Sequence, residues 1–339
     1  MSVRLLWPGL TALLLATAAA QLAIGTVAIP LAEMPDHIIL HAVRLPRLIV
    51  VVLSGAMLGL AGALLQTVTR NPLAEPGLMG VSAGAVLAIV AMIIAASRAE
   101  GLGVVRETGW HLGLAGVAGG MAAGALTYAL SRHQGTSRPI LLVLMGVLVA
   151  GSASALTSVL LLTADESQLR LVLHWTIGST NGRGWVHVEM LLPYAAAGLA
   201  MGLLSAGVAN ALQLGAGVAA GLGLRVEHAR LLLIFAAAVL TAGAVSVVGG
   251  IGFVGLIGPH LARMLVGNDA RRLFPAAAVV AALLLTLADL GARTFPLGWI
   301  EAWTRSPVPA PTGLPVGVIT PLLGVPFFLW LVFARRERA

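Results

Sequence analysis

The sequence predicts an all-α polytopic membrane protein with about ten transmembrane helices. Three observations carry that reading. The first is composition: 59% of residues are hydrophobic, only 10% are charged, and the mean hydropathy is +0.99. Soluble domains carry about 25% charged residues, so a chain this poor in charge cannot cover a globule with polar side chains. Lipid must solvate much of its surface. The second is a series of apolar runs close to the roughly 20 residues a helix needs to cross a bilayer. The third is glycine, with 41 residues, many of them inside those runs at four-residue spacing.

In chain order, the runs place crossings near 8–30, 47–69, 78–96, 112–131, 140–162, 186–207, 230–250, 252–266, 274–291 and 315–333. The first begins with an arginine and an apolar core ending in small residues, like a cleavable signal peptide. Its apolar run continues past Gln21 to Ile29, however, which favours an uncleaved first helix. The second and third flank RNPLAEPG, where Pro72 and Pro76 cannot sit in continuous helix without cost. The chain must turn there, and non-helical backbone at membrane depth is tolerated only where protein buries it or a cavity is lined. Gly55/Gly59, Gly80/Gly84, Gly116/Gly120/Gly124 and Gly198/Gly202 repeat on single helix faces, which lets backbones approach closely. Residues 163–185 are too polar to cross and read as a short outer helix and loop holding Trp175. The eighth crossing is short and follows a break at Gly249, Gly250 and Gly252.

Charge placement orients the bundle. All 20 basic residues are arginine, and most lie between apolar runs. With the N-terminus inside, twelve arginines fall on the cytoplasmic side and eight outside, in line with the positive-inside tendency. The net charge of +7 and pI of about 11.4 therefore reflect loops, not a nucleic-acid groove. Tryptophans 7, 110, 185, 299, 303 and 330 fall near span ends, where interfacial anchors belong.

Several chemistries drop out. The chain has no cysteine, which removes disulfides and thiolate metal sites. It has no lysine, so it lacks the phosphate loop that requires one, and any ATP-driven work must be done by a partner. His37 and His41 are four apart, but no third ligand accompanies them, and they read as loop histidines. His260 reads as a helix-end residue. Ionisable side chains inside the spans are scarce: Asp289 and Arg293 lie four apart and can neutralise each other, and Glu189 sits near a span start. That scarcity disfavours an ion-coupled secondary transporter, and the missing nucleophile–base set disfavours an intramembrane enzyme.

The blocks RLPR at Arg44–Arg47, GLAGALLQ at Gly59–Gln66, RNPLAEPGLMGVSAGA at Arg70–Ala85 and IGFVGLIGPHLAR at Ile251–Arg263 carry a resemblance. LADLGAR at Leu287–Arg293 and LPVGVITPLLGVPFFLW at Leu314–Trp330 extend it. Together they resemble the permease subunit of FecCD/BtuCD-type ABC importers, the family taking up ferric siderophores, haem and cobalamin. The resemblance implies a single permease domain over 1–339 with the type II ABC importer fold, in the inner membrane of a bacterial cell. It implies no catalytic residue, no metal site and no cofactor bound by this chain, with ATP and magnesium on a cytoplasmic ATPase dimer. It also implies a second permease subunit, the same or related, and a periplasmic or lipoprotein substrate-binding protein. A ferric siderophore is the expected cargo, with haem or cobalamin as alternatives.

Residue by residue, Arg44, Arg47 and Arg293 match outer arginines that receive glutamates of the binding protein. Asn71, Leu73, Thr136 and Ser137 match positions closing the pathway on the cytoplasmic side. The loop near 210–228 matches the ATPase coupling helices through Leu212, Leu214, Gly215, Gly221, Leu222 and Gly223. Two departures stand out. Ala216 and Gly217 replace an acidic residue usual after the LG pair, and Gly313 replaces a glutamate, after a long outer loop at 294–312.

Overall fold

A computed structural model describes residues 3–25, 36–100, 109–133, 136–294 and 314–336. Among these, seven helices are long and apolar enough to cross a membrane, and three shorter apolar helices accompany them. The ten crossings read from the sequence are therefore each represented by a helix. The first is shorter than expected: α1 is Val3–Ala23, and residues 26–30 of the predicted run lie outside the described residues.

Helix α2, Leu45–Thr69, is the axis of the bundle. A π-helical turn, Leu40–Arg44, leads into it, and Pro46 occupies its first turn, where a missing N–H costs nothing. The helices that follow are α3 (Val81–Glu100), α4 (Gly109–Leu130), α5 (Pro139–Leu161), the short α6 (Glu166–Ile177) and α7 (Trp185–Leu204). Then come α8 (Ala206–Gln213), α9 (Ala216–Gly221), α10 (Val226–Val248), α11 (Val254–Val266), α12 (Ala270–Thr294) and α13 (Val316–Arg336). Helix α2 packs against α7, α10, α11 and α12, while α3 packs against α4 and α5.

Small residues set these approaches. A methyl on Gly55 would fall 2.7 Å from the Ala282 Cα of α12, and one on Gly62 would collide with the Gly255 carbonyl of α11. Helices brought this close gain van der Waals contact that lipid tails cannot match. The core side chains Met57, Leu60, Leu64, Leu233, Leu240 and Phe274 are fully buried around them.

Two interruptions meet inside the bundle. After α2, Arg70 takes a left-handed backbone (φ 52°), and the Asn71 Oδ1 accepts the Leu73 N–H at 2.9 Å. A 3-10 turn at Pro76–Met79 and Gly80 (φ 74°) then start α3, so the third crossing begins at Val81 and not at 78. The second interruption lies between α10 and α11, at Gly249 (φ 76°) and Phe253 (φ 68°). The Glu75 carboxylate accepts the Phe253 N–H at 2.6 Å, and Pro76 lies against Gly255. The Gly250 N–H donates to the Trp175 carbonyl, and the Ser179 N–H to that of Val248. Each break thus finds hydrogen-bond partners within protein, as apolar surroundings demand.

At the opposite side of the chain's loops, α6 begins with a capping box in which the Asp165 carboxylate accepts the Gln168 N–H. This is the short outer helix expected over 163–185. A two-residue antiparallel ladder joins Arg132–His133 to Thr136–Ser137.

Overpacking a close approach costs about 1–3 kcal/mol or more. Gly62→Val is expected to lower the thermal unfolding midpoint in detergent and reduce the monodisperse fraction on gel filtration. Gly151→Ala, where added volume meets open space, is expected to leave both unchanged.

Candidate functional site

One polar cluster and one basic, partly apolar end stand out from the apolar bundle. The cluster centres on Asp289, whose side chain is 0% exposed. One oxygen accepts from Arg47 Nη2 at 2.8 Å and from the Thr180 hydroxyl. The other accepts from Arg293 Nη2 at 2.6 Å, Arg293 Nε at 3.0 Å and Gln21 Nε2 at 2.9 Å. The i to i+4 spacing that lets Asp289 and Arg293 neutralise each other is thus realised, and Arg47 of α2 and Gln21 of α1 join them. A buried carboxylate is tolerated only when its lone pairs are met this fully.

Arg44 lies beside the cluster. It is 5% exposed, and its Nη1 donates to the carbonyls of Leu22 at 2.6 Å and Ala23 at 3.0 Å. It caps the C-terminal end of α1, where a cation complements the helix dipole. The first helix is consequently woven into the bundle through Gln21 and these carbonyls. The structure corrects one part of the reading of Arg44, Arg47 and Arg293. They are not freely exposed charges, because internal acceptors hold all three. Apolar periodicity could not show this, since the partners lie on four separated segments.

A fourth arginine was not singled out by the sequence. Arg183, in the loop between α6 and α7, is 8% exposed and sits with its guanidinium 4.6 Å from the Trp175 ring centroid. Its Nη1 faces the His187 Nε2 at 3.0 Å, while Nε and Nη2 have no acceptor among the described residues. Burial pushes its pKa down to about 10, which leaves it a cation at neutral pH. The only signal in the sequence is the arginine itself, in a glycine-rich turn.

At the other end of the bundle, Asn71 forms its own turn with Leu73, whose side chain is 50% exposed. Ser137 is buried, and its N–H donates to Glu227 at 3.0 Å while its carbonyl accepts from Arg230 at 2.7 Å. Thr136 pairs with His133 in the short ladder. One loop is therefore bonded within its own turn, and the other is clamped to the start of α10.

The segment matched to the coupling helices forms α8 and α9, separated by Gly215 (φ 115°) and followed by Gly223 (φ 81°). Leu212 is buried, but Leu214, Val218 and Leu222 are 63%, 54% and 66% exposed. They make an exposed apolar set at the ends of α8 and α9 and within α9, which closes at Gly221. Burial of three such side chains by a partner would contribute several kcal/mol, at about 1.5–3 kcal/mol each.

Among the described residues no group of three or more histidine or acidic side chains could hold a metal. His37 Nδ1 accepts the Ile39 N–H at 3.2 Å. His260 is not a helix-end residue: it is buried within α11, with its ring edge-on to Phe327. Among the described residues Asp289 is the fully buried carboxylate, held by two arginines, and the half-buried Glu75 is turned to a backbone amide.

Comparison with known proteins fits this architecture. The model of the FecCD transport family matches residues 12–334. The hemin transport system permease HmuU of Yersinia pestis is 37% identical over 308 residues, covering 89% of this chain and 85% of the relative. The iron(3+)-hydroxamate import permease FhuG of Bacillus subtilis is 36% identical over 301 residues, covering 88% and 84%. A solved metal-chelate type ABC transporter in an inward-facing conformation superposes with a TM-score of 0.83 at 30% identity, covering 98% of this chain and 99% of its own. The fold is that of an ABC transporter permease, a transport component and not an enzyme. The chain belongs to the FecCD transport family, as a multi-pass permease of the importers that carry metal chelates.

Removing one partner of a buried ion pair costs about 3–5 kcal/mol. Asp289→Ala is expected to destabilise the protein by that order, read as a lowered unfolding midpoint in detergent. Glu189→Gln, at an exposed position on α7, is expected to leave the midpoint unchanged.

Proposed function

We propose that this chain is the inner-membrane permease of an importer that takes up a ferric siderophore, driven by ATP hydrolysed on a cytoplasmic ATPase dimer. The observation that carries the reading is the exposed apolar set of Leu214, Val218 and Leu222. Val218 lies within α9, and Leu214 and Leu222 cap the ends of α8 and α9, in a connection between long crossings where apolar side chains have no lipid reason to be exposed. Such a set suits a groove on a soluble partner, which buries apolar anchors and excludes water around them.

A second permease subunit, identical or related, completes the pathway. Helices α5 and α13 favour this, because both present leucines and valines outward along much of their length, among them Leu144, Leu148, Leu322 and Leu329. The loop from Thr180 to Arg183 faces the end where a substrate-binding protein would deliver cargo. Its Arg183 cation suits a chelate bearing anionic groups. Haem and cobalamin remain the other members of that cargo class, as the names of relatives indicate.

Docking of the binding protein is proposed at the same end, near Arg44, Arg47 and Arg293. Because those arginines hold internal acceptors, a docking glutamate acts by exchange with Asp289 or by long-range attraction to the net positive cluster. Exposed complementary charge raises association rate more than affinity. Reversal of Arg47 would set a carboxylate against Asp289, and reversal of Arg44 would set one against the Leu22 and Ala23 carbonyls, so both would destabilise this end and the informative change is made on the binding protein's glutamates.

Two measurements test the reading. Reconstituted with its ATPase, the permease is expected to take up ferric siderophore only when ATP is present on the ATPase side. Uptake driven by an ion gradient without ATP would instead establish a secondary transporter. Leu214→Asp with Leu222→Asp is expected to weaken co-purification of the ATPase by about tenfold or more, given the area removed from the contact. The protein's own unfolding midpoint should not move, since both side chains are exposed.

A further inference from the structure

A cleft of about 400 Å³ opens where α2, α8 and α11 end together. Its lining is Gln66, Thr67, Arg70, Pro72, Gln213, Arg263 and Asn268. Two arginines and three amides line it, and no carboxylate does. Asp269, next to the lining Asn268, is turned away: its Oδ1 accepts from Asn210 Nδ2 at 2.7 Å and from the Arg271 N–H at 3.1 Å.

Local capping accounts for some of these donors. Three helix C-termini converge here, and their carbonyls favour cations. Arg70 Nη2 donates to the Leu212 carbonyl at 2.7 Å. Arg263 Nη1 donates to Asn268 Oδ1 at 2.9 Å and its Nη2 to Gln66 Oε1 at 3.2 Å. Two donors are left over. Arg263 Nε and Gln213 Nε2 are both buried and have no acceptor among the described residues. A buried donor without a partner is a standing cost that a ligand oxygen can remove. Arg70 is also held in a left-handed backbone, φ 52°, which a non-glycine residue adopts only when its surroundings enforce it.

We propose that this cleft is an oxyanion site that takes a phosphate group between Arg70 and Arg263, with the Gln213 amide as a third donor. The chemistry favours phosphate because planar guanidinium forks match its oxygens and because it accepts from several directions at once. The phosphate is that of a soluble phosphate or of an anionic lipid headgroup, since the cleft opens at the cytoplasmic end of the bundle. Bound there, the anion bridges three elements: the end of α2 with its Pro72 turn, the end of α8 beside the exposed apolar set, and the end of α11. It would fix the spacing between the turn that the family resemblance matches to a gate and the segment proposed to contact the ATPase. The site itself does not depend on that assignment.

The test uses the full chain, purified in neutral detergent and stripped of lipid. Its unfolding midpoint is followed against inorganic phosphate, with potassium chloride at matched ionic strength, and native mass spectra are recorded with added phosphatidylglycerol. A saturable rise with phosphate, or a retained phosphatidylglycerol adduct, supports the site and identifies the source. Either response should weaken by about tenfold or more in Arg70→Gln or Arg263→Gln, the scale of a lost charge-assisted contact. Arg263→Lys keeps the charge but loses the fork, so it should recover only part of the response. Equal responses to phosphate and chloride would overturn the proposal. So would a phosphate response that survives in the double Arg70→Gln, Arg263→Gln variant, or no response and no adduct in the unaltered protein.

Discussion

The outer end of the bundle depends on one buried carboxylate. Asp289 on α12 holds Arg47 of α2, Arg293 of its own helix, Thr180 of the loop before α7 and Gln21 of α1. An isolated carboxylate at 0% exposure would be prohibitive. Five donors from four separated segments make it a tether. None of these segments can shift without leaving a charge or a lone pair unmet, so the first helix, the axial helix and the outer loop move as a unit or not at all.

The rest of the bundle is held by the opposite device, the absence of side chains. Gly55 and Gly62 allow α2 to contact α12 and α11 at backbone distance. Close contact also serves the two interruptions, at Arg70–Gly80 and Gly249–Phe253, because their freed amides and carbonyls must be met by protein. Glu75 does this directly by accepting the Phe253 N–H. The axial helix therefore joins an electrostatic tether at one end to a pair of linked breaks toward the other. Its C-terminal end, at Arg70, borders the cleft and lies beside the Leu212 carbonyl of α8.

Two loops are held differently. The Ser137 loop is clamped through Glu227 and Arg230, whereas the Asn71–Leu73 turn is bonded within itself. The short helices α8 and α9 are joined at Gly215, whose φ of 115° lets the chain reverse within one residue. Their ends and the middle of α9 leave Leu214, Val218 and Leu222 exposed, an apolar surface outside the lipid-length helices.

The sequence by itself determined the class, the ten apolar helices and the places where they break. Length and hydropathy against a bilayer settle spans, and proline, glycine and motif order settle breaks and family. It also placed the short outer helix at residues 163–185 and the pairing of Asp289 with Arg293, because both rest on local spacing. Only the tertiary structure decided that Arg44, Arg47 and Arg293 are spent on internal acceptors, that Arg183 is a buried cation, and that His260 packs against Phe327 inside a helix. The same holds for Glu75 and the cleft at Arg70 and Arg263. The physical reason is range: periodicity and propensity act over a few residues, whereas these contacts join side chains up to 268 positions apart and exist only once the helices have packed.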